Sequence, residues 1–197
     1  MARLTQRERR DRTETALVAA AAELVVESGL RSMTLARVGE RAGYSRGIVN
    51  HHFGTKQALL EALAHATQSG FVPGVDRFEP GLDRLLAVVE GYVGALGDIS
   101  VISRAFLLLW AESSTTPELT DLFRARDEGF RSRLRADVEA GIAEGRVRPD
   151  VASDDVAVTI LGQLRGIGLQ RVLAPDVVDT ERLRHVVADQ WRRALSR

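Results

Sequence analysis

The run from Thr34 to Lys56, TLARVGERAGYSRGIVNHHFGTK, constrains this chain more than any other stretch, because it spells two short helices and the tight turn between them. Leu35, Val38 and Ala42 recur at three- and four-residue spacing and form one apolar helix face, with Thr34 as a natural N-cap. Gly43 stands where a left-handed residue ends a helix, and Ser45 opens the next one as its N-cap. Two helices joined through a glycine-containing turn make a helix-turn-helix unit.

The second helix sorts its residues by face. Val49 and Phe53 point back toward a core, whereas Arg46 and Asn50, with Ile48 nearby, project from the other side. Those exposed types suit a DNA major groove: Arg pairs with guanine O6 and N7, Asn pairs with adenine, and an aliphatic side chain meets the thymine methyl. Gly47 removes a side chain near the helix start and lets backbone approach DNA. His51, His52, Thr55 and Lys56 are placed to hold phosphates, helped by the open amides of the helix that Thr55 begins. A helix-turn-helix shape also occurs inside ordinary helical bundles, so the reading rests on the loaded face rather than on Gly43 alone. As metal ligands His51 and His52 are poorly placed, since adjacent helical side chains point about 100° apart. The chain has no Cys, and its other histidines are His65 and His185.

On these residues the segment resembles the N-terminal DNA-binding domain of the tetracycline-repressor (TetR) family. The matching positions are Thr34, Leu35, Val38, Ala42-Gly43, Ser45-Arg46-Gly47, His51-His52-Phe53 and Lys56, and Ala20 to Gly29 is similar to that family's first helix. The chain departs from the pattern twice. Asn50 stands where the family usually has an aromatic, so it is open to reading a base instead. Gly39 stands where Ala is usual, costing about 1 kcal/mol of helix propensity, and either permits closer helix packing or is simply tolerated.

Net charge is zero, yet the charges are unevenly shared. Residues 1–56 carry 10 Arg or Lys against 6 Asp or Glu, which leaves the remainder with the opposite imbalance, so the basic portion is the portion with the motif. Arg3, Arg7, Arg9, Arg10 and Arg12 crowd the N-terminus, either as a flexible arm reaching phosphates and the minor groove or as a solvated tail. Without Cys there is no disulfide framework. The first residues are polar and no apolar run nears the ~18 residues of a membrane span. A cytoplasmic protein without a membrane partner is expected.

The remainder reads as helices, at Thr55 to about Gly70 and at about 82–97, 101–114, 118–145, 153–173 and 179–195. Leu59, Leu60 and Leu63 line the inner face of the first of these, a helix suited to link two domains mechanically. The Pro/Gly-rich Phe71 to Gly81 marks the boundary. An all-α protein of nine helices is predicted: a helix-turn-helix domain with its linking helix over 1–70, and a helical ligand-binding and dimerisation domain over 71–197.

The last fifty residues are similar in pattern to the C-terminal part of the BetI-like type within the TetR family. Val156, Ile160, Gln163, Leu164, Ile167 and Arg171 form one stripe, with Gly162 and Gly166 beside it, and Leu183, Val187, Trp191 and Leu195 form a second. In a monomer such stripes are ordinary core faces. The resemblance implies instead that they pair across a two-fold axis in a homodimer. For a small-molecule effector, a mainly apolar site is expected from Tyr92, Leu96, Phe106, Trp110, Phe123 and Phe130, oriented by Arg104, Glu112, Asp127, Gln163 or Arg165.

These readings converge on a homodimeric transcriptional repressor that binds a double-stranded inverted-repeat operator and releases it when a small molecule enters the C-terminal domain. No cofactor is implied. An enzyme on a helical bundle lacks support, for the chain has no Cys, no ExxH ligand pair, no phosphate loop and no nucleophile elbow. The remaining alternative is a small-molecule-binding or protein-interaction module that keeps the helix-turn-helix only as scaffold.

Overall fold

A computed structural model describes residues 5–66, 72 and 74–197. Among them are nine α-helices: α1 (Gln6–Ser28), α2 (Leu35–Ala42), α3 (Arg46–Phe53), α4 (Lys56–Ala66), α5 (Leu82–Ala95), α6 (Val101–Glu112), α7 (Pro117–Ala143), α8 (Ser153–Leu173) and α9 (Thr180–Leu195). One isolated antiparallel bridge, Val147 to Ser196, is the only extended pairing among the described residues. The all-α class follows, with helix limits close to those of the sequence periodicity. The end of the predicted 55–70 helix, and Phe71 and Pro73 of the predicted connection, lie outside the described residues.

The chain forms two compact units, residues 1–69 with 100–120, and residues 70–99 with 121–197. The sequence division at residue 70 therefore assigns α6 differently, since α6 packs along α1 within the first unit. The reason is its apolar face: Ala105, Phe106, Leu107 and Leu109 are buried there, and each large side chain so buried contributes about 1.5–3 kcal/mol.

In the first unit α1 is the axis. A capping box opens it, in which the Thr5 hydroxyl accepts from the Glu8 amide and the Glu8 carboxylate accepts from the Thr5 amide. Its second half buries Leu17, Val18, Ala21, Leu24 and Val25, so that small residues let α2, α4 and α6 come close. Outside this core Arg41 of α2 grips Glu27 of α1 through two hydrogen bonds of 2.8 and 2.6 Å, and Glu23 at 3.1 Å. That guanidinium holds the Glu27 carboxyl below its usual range.

In the second unit α5 packs chiefly on α9, and also on α8. Its N-terminus is pinned by Asp137 of α7, almost fully buried, which accepts from the Gly81 amide at 3.2 Å and from Arg84 Nε at 2.7 Å. Its C-terminus is clamped by Arg171 of α8, which donates to the carbonyls of Leu96 at 3.2 Å and Gly97 at 3.1 Å, and also to that of Pro175. Both anchors satisfy backbone groups that a helix end leaves open.

Candidate nucleic-acid interface

The turn between α2 and α3 is set by backbone geometry. Gly43 adopts φ 75°, ψ 25°, a left-handed conformation that costs an L-residue about 1–2 kcal/mol, and the Tyr44 amide closes the end of α2 on the Gly39 carbonyl at 2.8 Å. Thr34 caps α2 through the Arg37 amide, and Ser45 caps α3 through the Ile48 amide. Val38 and Val49, both fully buried, hold the pair together.

Gly39 turns out to be required by packing. A Cβ built there meets the Tyr44 carbonyl oxygen at 2.9 Å and Val49 Cγ2 at 2.9 Å, so α3 sits closer to α2 than an alanine would allow. Of the two readings open from sequence, close approach is the one realised.

With Val49 as the inward anchor, α3 turns Arg46, Gly47, Ile48, Asn50 and His51 outward; all are exposed, Ile48 at 40%. His52 is half-buried and meets the edge of the His51 ring. The hydroxyls of Thr34, Ser45 and Thr55 serve as caps, Thr55 accepting from the Ala58 amide at 3.1 Å. Their O–H groups keep a donor that capping does not use. Lys56 is less open than expected. Its ammonium donates to the Leu30 carbonyl at 2.9 Å, bracing α4 against the start of the 3₁₀ turn Leu30–Ser32, and this leaves two donors for a phosphate.

Over its described residues the basic N-terminus is helical and solvated. Arg7, Arg9, Arg10 and Arg12 ride on the first turns of α1, exposed, while Arg3 lies outside the described residues. Gln6, Arg7, Arg9, Arg10 and Thr13 line one side of a recess of about 580 Å³, and His51 and His52 line the other. The basic surface thus runs from the end of α3 onto α1. Sequence spacing could not show this, because the two groups are some forty residues apart. Tyr44 was also missed: half-buried in the turn, it brings its hydroxyl to 3.5 Å from that of Thr13 on α1.

Comparison with known proteins decides the family. A family model described as the BetI-type transcriptional repressor C-terminal domain matches residues 81–196, and that of the tetR family of bacterial regulatory proteins matches residues 17–63. The HTH-type transcriptional regulator BetI of Burkholderia mallei is 30% identical over 170 residues, 84% of each chain. BetI 1 of Chromohalobacter salexigens is 28% identical over 189 residues, 92% of this chain and 89% of that one. The chain is a TetR-family transcriptional regulator. It is a DNA-binding protein, not an enzyme. The regulator also shares its fold with the SmeT–triclosan complex (TM-score 0.82, 21% identity, 94% and 92% of the two chains). A TetR regulator from Chloroflexus aurantiacus is similar too (TM-score 0.80, 22% identity, 95% and 98%).

Several residues expected elsewhere have other places in the regulator. Of those assigned to dimerisation, Ile160, Leu164, Ile167, Val187 and Trp191 are buried inside their own unit and Leu183 is half-buried, while Arg171 is the clamp on α5 described above. The apolar stripes on α8 and α9 are buried within one chain, where α5 packs on both helices, which is the ordinary core outcome. Gln163, expected at a ligand, ties α8 to α9 instead: it accepts from Trp191 Nε1 at 2.7 Å and donates to Gln190 at 3.1 Å.

The ligand candidates divide between the units. Arg104, Phe106 and Trp110 lie on α6 in the first, Phe106 within its core. Tyr92, Phe123, Asp127 and Phe130 lie in the second. There Arg165 of α8 donates to the Tyr92 hydroxyl at 2.8 Å and to Asp127 at 3.4 Å. Burial pushes the Tyr92 hydroxyl above its ordinary value despite the neighbouring guanidinium.

Proposed function

We propose that the regulator is a repressor that binds an inverted-repeat operator as a homodimer, reads bases through Arg46, Ile48 and Asn50 of α3, and is released by a small molecule held in its second unit. The observation that carries the reading is the two-sided character of α3, whose buried Val49 leaves an exposed face made of base-reading side chain types. Gly47 supports it. A Cβ there would meet nothing closer than Ser45 Oγ at 3.7 Å, and its φ is not positive, so no requirement inside the protein explains the glycine. Close approach of an outside backbone does. Arg7, Arg9, Arg10, His51 and His52 then hold flanking phosphates, and Lys56 contributes its remaining donors.

For the dimer, the residues named from sequence give way to their neighbours on the outer faces of the same helices. Val158, Gly162, Gly166, Leu169 and Leu173 form one stripe of α8; Val186 and Gln190 lie along α9. Val158 is 56% exposed and Val186 54%, and a Cβ at Gly162 or Gly166 would meet nothing within 4 Å. Small residues beside exposed valines let helices of a second copy approach closely, and two-fold pairing would set two copies of α3 on half-sites about one DNA turn apart.

Footprinting of the intergenic DNA beside the gene, followed by operator titration with Arg46→Ala and Asn50→Ala, tests the reading. Sequence-independent binding by the native regulator would overturn it in favour of a module that keeps the helix-turn-helix as scaffold.

A further inference from the structure

The second unit contains a charge cluster that DNA binding does not use. Tyr92 of α5, Arg165 of α8, and Arg126, Asp127, Phe130 and Arg133 of α7 come together there. Arg165 is 6% exposed, and its guanidinium carbon stands 5.8 Å from the centre of the Tyr92 ring and 6.0 Å from that of Phe130. Arg126, Asp127 and Phe130 are half-buried, so this side of the cluster borders solvent. Their positions on α7, three and four residues apart, put them on one face.

From these contacts we infer that the cluster is an anion-selective effector site, which takes a small molecule with a carboxylate head and an apolar or aromatic body. The inference rests on the reading of the regulator as small-molecule controlled. A cationic ligand seeks aromatic faces and a carboxylate. Here both are already occupied by the chain's own cation, Arg165. The guanidinium groups of Arg126, Arg133 and Arg165 gather around the Asp127 carboxylate. Burial first, and then the Arg165 charge, push the Arg126 guanidinium down to about 10. An anion entering the cluster relieves this repulsion. The bond from Arg165 to Asp127, at 3.4 Å, is long beside the 2.7–2.9 Å or so of a tight charge-assisted bond, so a carboxylate of better geometry competes with Asp127 for that guanidinium. A planar guanidinium offers a carboxylate two parallel donors, and Phe130 supplies apolar surface for its body.

The test is calorimetric titration of the full-length regulator with 2-naphthoate and decanoate. Each is compared with its uncharged amide and with a trimethylammonium compound carrying the same apolar group. At least one carboxylate is expected to bind ten-fold or more tightly than its amide and than the ammonium compound. Arg126→Gln should abolish that selectivity while Arg126→Lys restores part of it, and Asp127→Asn should tighten carboxylate binding several-fold by removing the competing internal anion. Arg126 is half-buried, so its variants should fold, which far-UV circular dichroism checks. Overturning results are a preference for the ammonium compounds, equal binding of acid and amide, no binding by either carboxylate, or selectivity unchanged in Arg126→Gln. Operator titration is read separately. Selective carboxylate binding without operator release counts against the effector-controlled reading and leaves the site standing. Release by amides or ammonium compounds with inert carboxylates does the reverse.

Discussion

Replacing Gly39 with alanine should destabilise the DNA-binding unit, against the sign that helix propensity alone predicts. Propensity favours Ala over Gly by about 1 kcal/mol inside a helix. The added Cβ, however, would sit 2.9 Å from the Tyr44 carbonyl oxygen and 2.9 Å from Val49 Cγ2. The Val49 methyl can turn aside only into a fully packed core, and the Tyr44 carbonyl is backbone in the turn that Gly43 and the Tyr44–Gly39 hydrogen bond define. Overpacking of this kind costs about 1–3 kcal/mol. The net expectation for Gly39→Ala is therefore a loss of roughly 0–2 kcal/mol. A shift of α3 against α2 and weaker operator binding should accompany it. Urea denaturation followed by intrinsic fluorescence gives the stability, and operator titration gives the second effect. Val49→Ala in the same background should recover only part of the loss, because the carbonyl contact remains. A Gly39→Ala regulator that is about 1 kcal/mol more stable, with unchanged operator affinity, would refute the reasoning and reduce Gly39 to a tolerated residue.

Arg46→Ala and Asn50→Ala should each cost about 1–3 kcal/mol on the preferred operator and relax specificity at one base pair, while Lys56→Ala should weaken binding to all sequences alike and lower stability through the lost Leu30 contact; affinities across operator variants at several salt concentrations, with a melting curve, separate the three. Asp137→Ala should destabilise by about 3–5 kcal/mol, because it leaves Arg84 and the Gly81 amide without their buried acceptor. Burial raises the Asp137 carboxyl above its ordinary value, so the folded state holds that proton more firmly than the unfolded one; its contribution falls as pH rises from the ordinary carboxylate value through the raised one, and the stability difference between native protein and Asp137→Asn, followed by denaturation at several pH values, should move in that direction. Val158→Asp and Val186→Asp should dissociate the dimer in sedimentation without lowering the monomer's helical content, whereas Trp191→Asp should unfold the second unit; a dimer that survives both valine changes would remove the outer faces of α8 and α9 from the interface.

The α3 helix was legible because everything about it is local. Capping by Ser45, the turn glycine at 43, the inward Val49 and the outward Arg46 and Asn50 all follow from spacing within a few residues, and the structure reproduces each. The stripes on α8 and α9 were equally visible as stripes, but periodicity says that a face is buried, not what buries it. Sequence therefore could not tell a core seam within one chain from a seam between two. Gln163 looked available for a ligand until Trp191, twenty-eight residues on, proved to be its partner.

By itself the amino-acid sequence determined the all-α class, the helix limits, the helix-turn-helix and the family resemblance, since these depend on interactions among residues close in the chain. Only the tertiary structure decided why position 39 is glycine, that Lys56 braces Leu30, that Arg171 caps α5, and that Arg165 lies buried against Tyr92, Asp127 and Phe130. Each depends on a contact with a residue on another helix or turn, up to seventy-five positions away along the chain. Spacing within one helix holds no information about the partner that packing brings to it.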